Sequence, residues 1–109
     1  MSEITVLGKV YAIQIQSSGS SDLRDNVGTA FNLEGRIVIS SDLSEEERIS
    51  TLIHEALEVI CYQLGISGGE ERERMVRQLE VGLYTFFKSN LPQGYAELGT
   101  LLEARDETE

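Results

Sequence analysis

The chain has 109 residues, with 19 acidic and 9 basic side chains for a formal charge of −10, one Cys and no Trp. This length suits one compact domain, expected over residues 1–104, and two domains are excluded. With 40% hydrophobic and 26% charged residues the chain is globular rather than disordered. Recognition of nucleic-acid phosphates needs clustered Lys and Arg, so no nucleic-acid partner is expected. A lone Cys61 cannot staple a secreted scaffold. No run approaches eighteen apolar residues, and the N-terminus lacks a signal peptide's basic and apolar regions. The expectation is a soluble cytoplasmic protein with no membrane partner.

Ile4, Val6, Val10, Ala12 or Ile13, and Ile15 alternate as strand residues, with Gly8-Lys9 as a turn or bulge. The run Ser17-Ser18-Gly19-Ser20-Ser21-Asp22 is small and polar and reads as a flexible loop. From Val27 to Ser40 the pattern alternates about Leu33-Glu34-Gly35-Arg36, a hairpin ending in Ile37-Val38-Ile39. These segments predict a small, mostly antiparallel sheet of three or four strands.

The second half has helical period. Ser44-Glu45-Glu46-Glu47 is a capping box, with three acids at the positive end of the helix that follows. Ile49, Ile53, Ala56, Leu57, Ile60 and Leu64 recur at helical spacing, and Gly65 stands where a left-handed cap belongs, giving a helix over about 44–64. A second helix is predicted over about 70–89, with Met75, Val76, Leu79, Leu83, Phe86 and Phe87 on its buried stripe and Pro92 beyond its end. Tyr95 to Leu102 reads as a short third helix, and residues 105–109 as an acidic frayed tail. The fold class is therefore α+β, a sheet packed on two main helices.

The chemistry-bearing motif is His54-Glu55-Ala56-Leu57-Glu58. Side chains four apart on a helix project from one face about 6 Å apart, so His54 and Glu58 can close on one ion while Glu55 reaches a metal-bound water. This is an HExxH zinc helix with its second His exchanged for Glu. In such a site the metal lowers the pKa of its water and the motif Glu takes the proton. The exchange replaces a neutral ligand with an anion, which makes a poorer Lewis acid and favours harder ions such as Mn²⁺ or Mg²⁺ over Zn²⁺.

Residues 35–48 and the run Thr51-Leu52-Ile53-His54-Glu55-Ala56-Leu57-Glu58-Val59-Ile60 resemble the strand, capped turn and active-site helix of ImmA/IrrE-type and related phage-encoded zincin-like metallopeptidases. Val76, Leu79, Gly82-Leu83-Tyr84, Phe87 and Asn90 are similar to their next helix, so the resemblance covers roughly residues 27–90. It implies a zincin-like fold, a phage or prophage setting, a zinc ion as cofactor and a protein substrate. Carried over residue by residue, His54 is the first metal ligand, Glu55 the catalytic base, and Glu58 stands where the second His is expected. For the third ligand, Glu73 and Glu80 share one edge of the second helix. Glu73 is chosen because it lies in the opening turns, where the family's acid is found.

Plainer readings stand beside these. His54 and Glu58 also fit a solvated pair at (i, i+4) spacing, and Glu73 fits a charge run at a helix start. Cys61 lies about 10 Å along the axis from His54 and reads as a small buried hydrophobe. Three functions follow: a metal-dependent endopeptidase using His54, Glu58, Glu73 and Glu55; a zincin-like protein without catalysis that binds a protein partner through its acidic surface; and an acidic mimic of nucleic acid.

Overall fold

The computed structural model describes residues 2–103; the expected tail over 105–109 lies outside them. Four strands, β1 (Ser2–Val6), β2 (Lys9–Gln16), β3 (Gly28–Phe31) and β4 (Arg36–Ser40), precede three helices, α1 (Glu45–Leu64), α2 (Glu70–Asn90) and α3 (Pro92–Leu101). The class is α+β, as the change of period midway along the chain implies. No helix among the described residues is long and apolar enough to cross a membrane.

The sheet has the order β1-β2-β4-β3. Its outer pairings are antiparallel hairpins, but the central β2–β4 pairing is parallel. The sheet is thus mixed, a refinement of the antiparallel expectation. The segment after β2 carries the chain past β4's position to the far edge, and the β3–β4 hairpin then lays β4 beside β2 in the same direction. Leu7 and Gly8 turn the first hairpin with φ of 49° and 84°, the positive pair a two-residue hairpin needs.

Register decides which side chains reach the core. Tyr11, Ile13 and Ile15 of β2 are buried with Ile37 and Ile39 of β4, under Ile49, Leu52, Ile53 and Val59 of α1. Val10 lies on the opposite face and is exposed, because Tyr11 takes the inward place in the alternation. On that opposite face the loop after β2 is tied down rather than free. Asp22 bridges Arg36 at 2.7 Å and accepts from Gln16, Ser18 donates to Asp42, and Leu23 is fully buried.

Helix α1 begins as its sequence dictates. Ser44 accepts from the Glu47 amide while the Glu47 carboxylate accepts from the Ser44 amide, and Gly65 closes the helix at φ 71°. Leu64 at its end is exposed. The stripe expected on α2 is narrower than its apolar content suggests. Val76 is buried and Leu83 and Phe87 are partly so, whereas Met75, Leu79 and Phe86 are exposed, because α2 has α1 on one side only. Pro92 opens α3 as well as following α2, at the position where its missing N–H costs nothing.

Candidate functional site

Helices α1 and α2 run antiparallel, and the edges they turn toward each other repeat at four-residue spacing, with polar residues on either side of the buried Val76 on α2. On α1 the edge is Ser50, His54 and Glu58; on α2 it is Glu80, Val76 and Arg72 in the opposite direction. Glu80 accepts from Ser50 Oγ at 2.5 Å through one oxygen and meets His54 Nδ1 at 2.9 Å through the other. A carboxylate only accepts, so Nδ1 carries the proton and Nε2 is left to face Glu58 Oε2 at 3.8 Å. Glu58 is itself held by Arg72, whose Nη2 and Nε stand 3.0 and 3.2 Å from Oε1. The four ionisable side chains of this chain of contacts are only 21–25% exposed.

Glu55 is turned about 100° from His54 and points at the sheet. It is 8% exposed. Burial pushes its carboxyl up to about 7, opposed by His54 and reinforced by Glu58 and Glu80. Above it lies Gly28 of β3. A Cβ on Gly28 would stand 2.6 Å from Thr51 Cγ2 and 3.4 Å from Glu55 Oε2, so only a glycine lets β3 approach α1 this closely. Asn26, Val27, Gly28, Thr51, His54, Glu55, Arg77 and Glu80 surround a cleft of about 350 Å³.

The sequence-derived residues are only partly brought together. His54 and Glu58 face one another, and Glu55 lies beside them in the cleft wall. Glu73 does not join them. It is exposed on α2, where it pairs with Arg77 at 3.4 Å, and Glu80, the other acid considered for that place, contacts His54 instead. The difference follows from the antiparallel crossing: Glu80 lies level with His54, while the opening turn of α2 passes the far end of α1. Among the described residues no three His, Cys, Asp or Glu side chains converge to hold a metal ion.

The donor set does not fit the zinc centre that the resemblance implies. Two ligands on one zinc stand roughly 3.3 Å apart, and His54 Nε2 and Glu58 Oε2 approach that span. Yet Glu58 is already neutralised by a guanidinium, and Glu80 sits on the opposite nitrogen of the ring, where it cannot share an ion with Nε2. Cys61 is buried at the base of α1, as a small hydrophobe would be.

Ser50, Arg72 and Gly28 escaped the sequence reading. The spacing of four that links Ser50 to His54 and Glu58, and Arg72 to Val76 and Glu80, was the available signal for two of them. Gly28 carries no pattern of its own.

The chain matches no family model, no curated protein and no solved structure.

Proposed function

We propose that this chain is a peptide-binding module on a zincin-like frame, taking an extended segment of a protein partner along the free edge of β3. The order of hairpin, capped turn and His-Glu helix supports descent from that frame. The Arg72–Glu58 contact favours binding over metal-dependent peptide hydrolysis, since the guanidinium occupies the second carboxylate of the His-Glu motif and, among the described residues, leaves His54 Nε2 without a completed ligand set.

One observation carries the reading: the edge of β3 is open beside the cleft. Val27 accepts from the Ser40 amide and Phe31 from the Gly35 amide, so Val27, Thr29 and Phe31 turn their backbone groups inward, to β4 and the turn before it. By the alternation of an antiparallel ladder, Gly28 and Ala30 turn theirs outward. An added strand would gain its hydrogen bonds there, and its side chains on the helix side would pass over Glu55 and His54. The net charge of −10 favours a basic partner.

The test is selection of peptides from a random display library on the immobilised chain, followed by amide-shift mapping. Selected peptides should shift Gly28 and Ala30 and lose binding to Ala30→Pro, a substitution an edge strand tolerates because that N–H makes no ladder bond. Peptides that map to the exposed face of α2, or that bind Ala30→Pro unchanged, would refute it.

A further inference from the structure

Glu55 has no hydrogen-bond partner among the described residues, although it is 8% exposed and its carboxyl lines the cleft under β3. A buried polar group in that condition normally has a partner, because an unmet acceptor loses its hydration without replacement. The neighbouring polar groups do not supply one. His54 gives Nδ1 to Glu80 and turns Nε2 toward Glu58, Ser50 donates to Glu80, and Arg72 is spent on Glu58. Arg48 Nε is the one fully buried side-chain atom without a partner among the described residues, so the Glu55 oxygens keep contact with the cleft and a donor entering it can reach them.

We propose that the cleft seats one protonated amine, the ammonium of a lysine carried by the segment docked on β3, with Glu55 as its floor and Glu80 as its wall. The inference rests on the docking reading for the origin of the amine but not for the chemistry of the seat.

Size, charge and shape agree on this ligand. A volume of about 350 Å³ is at the lower end of ligand pockets and suits a single long side chain. Two carboxyl groups face one guanidinium around the cleft, since Arg77 also lines it but is drawn toward Glu73. Val27 and the methyl of Thr51 offer apolar wall to a methylene stem, which long cationic side chains bury while their charge stays polar. A compact ammonium with three rotatable donors can use the Glu55 oxygens and the remaining lone pairs of Glu80, whereas a planar guanidinium needs a coplanar carboxylate left free on both oxygens. Gly28 matters here too, because a side chain at that position would be driven against Thr51 and Glu55 and close the cleft from above.

The experiment titrates the labelled full chain with n-butylammonium and, in parallel, with 1-butanol, its neutral isostere. Saturable shifts at the Gly28, Thr51 and Glu55 amides with the amine alone are expected, weakened about tenfold or more in Glu55→Gln. Equal responses to amine and alcohol, or no saturable response to either, would overturn the proposal without recourse to a variant. An acetylated display-selected peptide carrying Lys, compared with its norleucine analogue, separates the two readings. Equal binding of both peptides at Gly28 and Ala30 would leave docking intact and remove the lysine seat. Binding at neither residue would remove docking, while the butylammonium result still decides the amine seat. A peptide whose free N-terminus, rather than its Lys, is required would reassign the amine to a chain end and overturn the lysine assignment.

Discussion

Arg72 of α2 lies 3.0 Å from Glu58 of α1 and occupies the carboxylate that the His-Glu motif would otherwise offer to a metal ion. A fixed guanidinium thus stands near the point where a bound cation would be needed. Both side chains are less than a quarter exposed, so the pair is held closely without being fully desolvated. Replacing Arg72 with Met should cost about 1–2 kcal/mol, between the values for exposed and for buried pairs, because it strands Glu58 beside His54. Chemical denaturation checks this, and a variant as stable as the parent would show that the pair contributes nothing.

The raised pKa of Glu55 fixes the sign of a pH effect. Its carboxyl titrates near 4.5 in the unfolded chain and about 7 when buried, so between these values the native state holds the proton more tightly. Stability from this group is therefore greatest below pH 4.5, falls as pH rises toward 7 and is level above it. The loss is about 3 kcal/mol. Glu55→Gln should flatten this part of the stability curve and be more stable than the parent at pH 8. Parallel curves for the two proteins in urea titrations from pH 5 to 8 would remove the burial account of Glu55.

Gly28 and Thr51 should behave as a coupled pair. Gly28→Ala places a methyl 2.6 Å from Thr51 Cγ2 and is expected to cost about 1–3 kcal/mol. Thr51→Ser deletes that methyl and should recover much of the loss in the double variant, a coupling measured by a double-mutant cycle. Additive losses would mean that β3 does not pack on α1 at this point.

Leu23 tests whether the Ser-rich segment is part of the fold. Its side chain is fully buried, and Leu23→Ala should cost about 2–4 kcal/mol. A melting temperature unchanged by that substitution would return the segment to the status of a free loop.

How far the sequence could be read differed by element. The start and end of α1 were legible because capping chemistry is local: Ser44, Glu47 and Gly65 each act within a turn of their own backbone. The strands were legible by alternation, but the parallel β2–β4 pairing was not, since strand direction depends on how a connection of eleven residues is routed. The polar run after β2 was misread as flexible because its anchors, Asp22 and Leu23, act on distant partners. The same limit governed the site. His54, Glu55 and Glu58 stand together in sequence and announced themselves, whereas choosing between Glu73 and Glu80 required knowing which turn of α2 lies level with His54. Arg72 was hidden in a charge run that looked solvated, and its role came from the crossing of two helices.

Arg72 of α2 occupies Glu58, and no third ligand among the described residues joins His54 Nε2, which leaves the cleft to bind rather than to hold an ion. Native mass spectrometry of untagged protein equilibrated with a small excess of Zn²⁺ tests it most directly. No ion should be retained after desalting, with His54→Ala giving the same spectrum. One zinc per chain, retained by the parent and lost in His54→Ala, would contradict it.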